Sequence, residues 1–217
     1  MRRYDLEIIS LIGGAAVMIL ELVGSRVLAP YVGTSLYVWT SLIGIILGSL
    51  SLGYAWGGNL ADRRPSYALL SRILVAAALL IGLTAVLQRP ILASIGNAID
   101  DIRLGAVIAA LLLFAPATIL LGMIAPCAVK LRLIDVSRAG RTAGNLYAIS
   151  TVGSIAGTFL AGFFLIPSLG ATKNFLVLSS MLFVAWLLAR PTFLFRTGIS
   201  LFFSIAFAFT SLDYARR

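Results

Sequence analysis

One carboxylate side chain, Glu21, lies well inside a long apolar stretch of the sequence. If that stretch crosses a membrane, an ionised glutamate at this depth is costly unless it is paired, hydrated or protonated. Acidic residues in such positions usually face a cavity or the interior of a helix bundle and mark the path of an ion or substrate. Glu21 is therefore the first candidate for holding a substrate ammonium group or a coupling proton. The alternative is a protonated side chain that is hydrogen-bonded to a neighbouring helix.

The residues that follow Glu21 supply a hydroxyl and a guanidinium group. Ser25 is the i+4 neighbour of Glu21 on a helix, whereas Arg26 lies about 140° round the helix axis from it. Arg26 is also close enough to the end of the apolar stretch to extend into the headgroup region. Both side chains could still line one cavity if the helix bends towards Pro30, and we assign both to the candidate binding site.

Four further candidates for substrate binding lie in later stretches. We expect Trp39 and Thr40 at the same depth as Glu21, where the Trp39 ring could offer its face to an organic cation. An aromatic belt at the membrane interface would explain this ring equally well. Asn145 and Tyr147 lie near one end of a later helix, where they either form interhelical hydrogen bonds or line the inner gate of a path.

Small residues at four-residue spacing predict faces where helices pack closely. The glycine pairs with this spacing are Gly44 and Gly48, Gly53 and Gly57, and Gly153 and Gly157. We interpret Gly153 and Gly157 as structural or gating residues. Two prolines, Pro116 and Pro126, are expected to bend or end the helix that contains them.

The composition excludes most soluble functions. Of the 217 residues, 60% are hydrophobic and 12% are charged, and the mean hydropathy is +1.04. Ordinary globular chains are about half apolar and about a quarter charged, so this chain must be solvated by lipid. Its 17 Lys and Arg exceed its 8 Asp and Glu, but no basic stripe with interleaved aromatics indicates nucleic-acid binding. Because the chain has no His and one Cys, Cys127, we expect no disulfide, no metal, no cofactor and no histidine-based catalysis.

Seven apolar stretches are long enough to cross the hydrocarbon core as helices, which takes about 20 residues each. They predict an all-α polytopic membrane bundle that forms a single transmembrane domain, residues 1–217. The predicted helices are Ile8–Leu28, Leu36–Gly57, Leu69–Leu87, Leu104–Pro126, Ala143–Ile166, Ala171–Ala189 and Phe193–Ser211. The short gaps between them leave no room for a soluble domain.

Lys and Arg accumulate at alternate ends of these helices, and this bias predicts the orientation of the chain. They concentrate at the N-terminus and in the gaps after the second, fourth and sixth helices. We therefore expect a multi-pass protein of the cell membrane with its N-terminus in the cytoplasm. Seven helices then place the C-terminal tail outside, although Arg216 and Arg217 make that tail basic. An even number of crossings would remove this conflict.

The gap after the second predicted helix combines a carboxylate with arginines at a helix end. Asp62 beside Arg63 can tie two helices together while the terminal carbonyls are satisfied. Gly58, Asp62 and Arg63 resemble the signature that follows the second helix in transporters of the major facilitator superfamily. The second glycine of that signature is replaced here by Pro65.

A longer resemblance covers roughly residues 8–165. The run from Glu21 to Ser35, the pair Trp39 and Thr40, and the segment 144–153 resemble the membrane part of fused major facilitator and spermidine synthase-like proteins, the transmembrane spermidine synthase family. The resemblance implies a fold like half of a major facilitator transporter plus one helix, in a polyamine context. The soluble aminopropyltransferase domain of that family and its nucleoside-binding motifs do not occur in this sequence, so we expect no enzymatic activity.

Two hypotheses for function follow. The first is binding or transport of a small organic cation, such as a polyamine, at Glu21, with a homodimer in the bilayer supplying the two halves of a transporter. The second is a membrane anchor for a separate cytoplasmic aminopropyltransferase that docks on basic residues of one gap. These residues are Lys130, Arg132, Arg138 and Arg141. They could equally hold the topology and anionic lipid. An intramembrane enzyme is a poor alternative, because no nucleophile–base pair can be assembled.

Overall fold

The chain folds into α-helices throughout the part that the computed structural model describes, residues 4–133 and 135–189. The helices are α1 Asp5–Val32, α2 Leu36–Arg63, α3 Tyr67–Ala98, α4 Ile102–Leu113, α5 Ala115–Arg132, α6 Ala139–Phe159 and α7 Ile166–Leu188. A 3₁₀ turn, Val136–Arg138, precedes α6, and a π-helical turn, Leu160–Leu165, joins α6 to α7. The described residues contain no β-strand, and the predicted all-α fold is confirmed.

Local chemistry explains where several of these helices begin and end. The Ser66 hydroxyl accepts a hydrogen bond from the Leu69 N–H at the start of α3, and the Asp101 carboxylate accepts two backbone N–H groups at the start of α4. Gly33 ends α1 with a φ of 79°, a left-handed conformation that favours glycine, and its N–H donates to the Ala29 carbonyl.

Five helical segments are long and apolar enough to cross a membrane. They are Asp5–Val32, Leu36–Arg63, Tyr67–Ala98, Ala115–Arg132 and Val136–Gly170, and two shorter apolar helices, Ile102–Leu113 and Lys173–Leu188, accompany them. The described chain is therefore an all-α, multi-pass membrane bundle. The seventh predicted helix, Phe193–Ser211, lies outside the described residues.

The fourth predicted helix is divided. A break at Phe114 separates α4 from α5, and Pro116 occupies the first turn of α5, where its missing N–H costs no hydrogen bond. The predicted bend at this proline is confirmed, although the break precedes it by two residues. Pro126, in contrast, lies inside α5 without ending it.

The fifth and sixth predicted helices run into each other through a kink rather than a loop. Gly170 has a φ of 73° and interrupts the helical path within α7. The buried side-chain amide of Asn174 donates to the carbonyls of Leu165 at 3.1 Å and Gly170 at 2.6 Å. It thereby satisfies carbonyl groups that the kink removes from the regular helical pattern.

Two pairs of helices cross with direct backbone contact. In the first pair, α1 and α6, a Cβ atom built on Gly153 would lie 2.0 Å from the Leu11 carbonyl oxygen, and one on Gly157 would lie 2.7 Å from Ala15. A Cβ on Gly14 would lie 2.0 Å from the Ser150 carbonyl oxygen. Residue numbers rise in the same direction along both helices, so this pair is parallel.

The second pair, α2 and α5, repeats the contacts of the first. A Cβ on Gly53 would lie 2.2 Å from the Ile119 carbonyl oxygen, one on Gly57 would lie 2.7 Å from Met123, and one on Gly122 would lie 2.8 Å from the Leu50 carbonyl oxygen. Each contact matches one in the first pair when α2 residues are related to α6 residues 100 positions later, and α1 residues to α5 residues 108 positions later. The two crossings are therefore equivalent halves of an internal structural repeat.

Other glycines with the same spacing play no part in packing within the chain. A Cβ built on Gly44, Gly48 or Gly58 would meet no atom within 4 Å. The predicted close-packing face at Gly44 and Gly48 is thus not used inside the described bundle, because these two residues lie on a side of α2 that contacts no other helix. Gly153 and Gly157, interpreted as structural or gating residues, do lie against the backbone of α1.

The remaining helices close the bundle on the far side of α1 and α5. Helix α3 packs against α5 and α7, and the Ser179 hydroxyl of α7 donates to the Ala78 carbonyl at 2.7 Å. The rings of Phe114 and Phe175 stack with their centroids 6.3 Å apart, and Phe114 also contacts Gly24 of α1. Helices α2 and α6 are left as the least covered members of the bundle.

Candidate functional site

A cavity of about 180 Å³ lies where the two crossing pairs face each other, between α1, α2, α5 and α6. Most of its wall is apolar or small, including Gly14, Val17 and Leu50. Hydroxyl groups interrupt this wall on three of the four helices; they belong to Ser10, Tyr54, Ser150 and Ser154. The cavity is large enough for several water molecules, each of which takes about 30 Å³ in the liquid.

One of these hydroxyls has no partner. The Ser10 Oγ atom is buried and forms no hydrogen bond with any described residue. The Ser154 Oγ atom lies 3.1 Å from the carbonyl oxygens of both Gly14 and Ser150, so its hydroxyl is occupied by the backbone. A buried hydroxyl without a partner is unfavourable, and a polar occupant of the cavity would relieve that cost.

Glu21 lies beyond one end of the cavity, on the same face of α1. Val17 lines the cavity, and Glu21 follows it by four residues, which is one helical turn. The Glu21 side chain is half-buried. Among the residues that the structure describes, it has no hydrogen bond and no ion pair. Its carboxylate is thus available to a cation that reaches this end of the cavity.

The two residues predicted to accompany Glu21 on α1 behave differently from it. Ser25 is buried, and its hydroxyl donates to the Leu22 carbonyl of its own helix at 2.8 Å. Arg26 is exposed on the surface of the bundle and forms no ion pair with Glu21. The absence of a Glu21–Arg26 pair is consistent with the sequence spacing, which places the two residues about 140° apart round the helix axis.

Trp39 and Thr40 are both exposed at the start of α2. In this region the cation–π contact is formed by the neighbouring Tyr37. The Arg103 guanidinium lies 4.4 Å from the Tyr37 ring centroid and donates a hydrogen bond to the Tyr37 hydroxyl at 3.2 Å. This contact ties the start of α2 to the start of α4. Trp39 remains 37% exposed, so its ring is accessible from outside the bundle.

The last two predicted binding residues, Asn145 and Tyr147, separate from each other. Tyr147 is exposed on α6 and does not line the cavity. Asn145 lines a second, larger pocket of about 760 Å³ at the end of the bundle where α1 begins and α5 ends. The predicted set therefore divides between two places on the molecule.

That end of the bundle, which we term the basic end, carries the basic residues Arg63, Arg64, Lys130, Arg132, Arg138 and Arg141. The Asp62 carboxylate pairs with the Lys130 ammonium at 2.6 Å, so the carboxylate of the signature ties α2 to α5. The Glu7 carboxylate pairs with Arg132 at 2.9 Å and ties α1 to α5. Arg63 itself is exposed.

The sequence pattern did not identify three residues that line the cavity, Ser10, Tyr54 and Ser154. Ser10 could have been found from its spacing, because positions 10, 14, 17 and 21 recur on one face of a helix. Tyr54 and Ser154 occupy equivalent places in α2 and α6, one residue after Gly53 and Gly153. The repeat of the glycines 100 positions apart was the signal that could have paired them.

Comparisons with family models, with curated proteins and with solved structures found no match to this chain. The described residues also contain no group of three or more His, Cys, Asp or Glu side chains that could share a metal ion. What the site can bind therefore follows from one carboxylate, several hydroxyls and the Tyr54 ring.

Proposed function

We propose that this chain binds a small organic cation, such as a polyamine, and moves it across the cell membrane along the path that contains Glu21. The observation that carries the proposal is a half-buried carboxylate without a partner among the described residues, one turn from a cavity on the same helix face. Ionisable side chains within membrane-spanning helices usually mark ion or substrate paths. Because an ionised Glu21 is negatively charged, we propose a cation as its ligand.

The cavity provides further groups that suit an ammonium compound. An ammonium group donates hydrogen bonds and needs acceptors, which the Ser10 hydroxyl and the Tyr54 hydroxyl supply. The apolar part of the wall suits the methylene segments between the ammonium groups of a polyamine. The resemblance to the membrane part of spermidine synthase-like proteins directs the choice of polyamines among organic cations.

The basic end is proposed to face the cytoplasm, since positively charged residues are retained on that side of the cell membrane. Glu21 then lies beyond the cavity in the outward direction, in the second half of α1. A cation entering from outside would meet Glu21 first and the hydroxyls of the cavity second. On its way inward, the cation would thus pass from the Glu21 carboxylate to the neutral hydroxyl groups of the cavity.

A direct test compares the wild-type protein with Glu21→Gln in detergent. Spermidine should raise the thermal unfolding temperature Tm of the wild type, because a ligand that binds the native state stabilises it by mass action. The rise should be lost in Glu21→Gln. The matched control is Asp100→Asn, which removes one exposed carboxylate between α3 and α4, away from the cavity wall, and should keep the response. An equal rise in all three proteins would contradict the proposal.

A second comparison separates charge from shape. A neutral diol of the same length as the polyamine can fill the apolar part of the cavity but cannot pair with a carboxylate. We expect the diol to leave the Tm unchanged in both proteins. Uptake of labelled spermidine into proteoliposomes then distinguishes transport from binding, and it should fall at least about tenfold in Glu21→Gln if an ion pair of roughly 1.4 kcal/mol is lost.

The proposal includes a homodimer. In α2, only 28% of the most apolar 18-residue stretch is buried, and in the segment Val136–Gly170, which contains α6, only 17% is buried. The corresponding value is 56% in α1 and in α3. Both of these poorly covered helices line the cavity. Each also carries an exposed tyrosine, Tyr54 on α2 and Tyr147 on α6. A second copy placed here would close the cavity and supply the other half of a transporter.

The dimer can be tested by crosslinking single cysteines in a Cys127→Ala background. Thr151→Cys is exposed on α6, next to the cavity-lining Ser150, and should give dimers in native membranes. Leu83→Cys, which is exposed on α3, is the matched control and should stay monomeric. Equal crosslinking at both positions would indicate random collision and contradict a dimer across α2 and α6.

The alternative function, an anchor for a separate cytoplasmic aminopropyltransferase, has weaker support. Of the four basic residues assigned to the docking surface, Lys130 and Arg132 pair with Asp62 and Glu7 of the chain itself. Only Arg138 and Arg141 of that set remain for a partner. Their position in the pocket of the basic end suits a smaller ligand.

A further inference from the structure

The pocket of about 760 Å³ at the basic end takes no part in the proposed cation path. Its polar rim is formed by Tyr4, Glu7, Arg132, Arg138, Arg141, Thr142 and Asn145. Three arginines face one carboxylate, so the rim carries a positive charge. A pocket of this sign attracts an anion rather than the organic cation proposed for Glu21.

The two arginines at the start of α6 are available to a ligand. Arg138 and Arg141 are exposed, and neither guanidinium group forms an ion pair or a hydrogen bond with the described part of the chain. Arg132 is already held by Glu7 at 2.9 Å. The chain therefore builds one internal ion pair at the rim and leaves two guanidinium groups beside it, each of which can donate two parallel hydrogen bonds to a phosphate.

The start of α6 also favours an anion in the pocket. Helix α6 begins at Ala139, and its N-cap residue Arg138 provides no side-chain acceptor for the first N–H groups of the helix. The first turn also contains no acidic residue. The Ala139 N–H donates to the Val136 carbonyl of the preceding 3₁₀ turn. The positive end of the helix dipole still favours a bound anion at this place. The Thr142 hydroxyl and the Asn145 amide add donors one turn further along.

Part of the pocket wall is apolar. Leu146, Ala148 and Ile149 form the part of its wall away from the rim. Val152 and Ile155 follow on the same helix and are 58% and 54% exposed. Polar donors at one level and an uncovered apolar helix face below them match the headgroup and the acyl chains of a phospholipid.

We propose that this pocket binds the phosphate headgroup of an anionic phospholipid, with Arg138 and Arg141 as its principal ligands and the exposed face of α6 against the acyl chain. The shared chemistry is a phosphate anion, which a free phosphate compound could also provide. The apolar face below the rim favours the lipid. This inference is independent of the cation path, because it uses neither Glu21 nor the cavity between the crossing pairs.

The test is native mass spectrometry of the full chain with phosphatidylglycerol, phosphatidylcholine or glycerol 1-phosphate. We expect retained phosphatidylglycerol on the wild type and an affinity at least about tenfold lower for Arg138→Gln/Arg141→Gln, since each surface arginine contributes on the order of 1 kcal/mol. Arg64→Gln/Arg72→Gln removes the same charge from exposed positions outside the pocket and should change the affinity less than about twofold, because a single retained site is unaffected.

Three outcomes would overturn the proposal. Equal loss in the two double variants would show general attraction between lipid and a basic surface. Equal retention of phosphatidylcholine would remove the requirement for an anion. Retention of glycerol 1-phosphate with the affinity of phosphatidylglycerol would remove the role of the acyl chain. Arg141→Lys keeps the charge without the paired donors, and an intermediate affinity for it supports direct guanidinium–phosphate bonding.

Discussion

The crossing of α1 with α6 and the crossing of α2 with α5 have the same backbone contacts but differ in their polar side chains. Gly153 and Gly157 meet the backbone of α1 as Gly53 and Gly57 meet the backbone of α5. The position equivalent to Glu21 on α5 is Val129, which is apolar. The repeat thus preserves the contacts between backbones, while the carboxylate within the membrane-spanning part occurs in one copy and is replaced by an apolar residue in the other.

The hydroxyl groups show the same division. At the α1 and α6 crossing, Ser154 lies 3.1 Å from the Gly14 carbonyl oxygen and bonds across the pair. The α2 and α5 crossing has the weaker contact of the Cys127 thiol with the Gly57 carbonyl at 3.8 Å. Positions that touch backbone are alike in the two pairs, and positions that touch the cavity differ. We conclude that backbone packing constrains the first set and leaves the second set free to differ.

The largest expected effect would break both crossings alike. Gly153→Ala and Gly53→Ala would each place a methyl group about 2 Å from a backbone carbonyl oxygen, so the helices must separate. We expect each to cost at least about 3 kcal/mol, at the upper end of overpacking effects, and to lower the Tm sharply. Gly44→Ala and Gly144→Ala face open space and should be neutral or slightly stabilising. Unequal losses at Gly153 and Gly53 would contradict the equivalence of the pairs.

A smaller effect would sharpen the difference between the pairs. Glu21→Leu removes a costly carboxylate from a membrane helix and should stabilise the protein by about 1–3 kcal/mol in lipid bicelles while the spermidine response disappears. Val129→Leu changes the equivalent apolar position of α5 and should leave both properties nearly unchanged. The measurement is Tm with and without spermidine. A destabilised Glu21→Leu would show that Glu21 holds the fold together instead.

The smallest effect concerns the residues that precede α6 and its equivalent, α2. The Asp135 carboxylate accepts hydrogen bonds from the Ser137 hydroxyl at 2.6 Å and the Ser137 N–H at 3.0 Å, and these bonds lower the pKa of Asp135. Its equivalent before α2, Ser35, makes no such side-chain bond. Asp135→Asn should therefore lower the Tm slightly near neutral pH, whereas Ser35→Ala should not.

The pH dependence of that difference has a definite sign. A carboxyl group whose pKa is lowered by folding contributes stability that is present above its unfolded pKa and lost as pH falls through its folded pKa. The Tm gap between wild type and Asp135→Asn should stay constant at neutral pH and close only below about pH 4, the ordinary aspartate range. A gap that closes near pH 6, roughly two units above that range, would assign the effect to another group.

Much of the fold could be predicted from the sequence because the length of an apolar run is a local property. Six of the seven predicted helices lie within the described residues, and each is found, with the fourth divided at Phe114. Packing faces were harder to predict. Gly44 and Gly48 have the same spacing as Gly53 and Gly57, yet only the second pair meets another helix. Spacing identifies a smooth helix face, but the partner and its register depend on the whole bundle.

The candidate site was predictable only where one residue is unusual by itself. Glu21 stands out because a charge in an apolar run is rare, whatever surrounds it. Asn145 and Tyr147 are ordinary polar residues two positions apart, and the structure places one in the pocket at the basic end and the other on the exposed surface of α6. Ser10 contributes through its buried, unpaired hydroxyl, which is a property of its neighbours and is not visible in the sequence.

The backbone contacts at the two crossings also determine how this bundle can deform. Where glycine meets a carbonyl oxygen directly, no side chain lies between the helices that could change rotamer and let them slide. Each pair should consequently move as one stiff body, with α1 fastened to α6 and α2 to α5. The soft boundary between these bodies is the cavity itself. A change in its volume must then come from a rigid-body movement of one pair against the other, in which the glycine contacts within each pair stay unchanged.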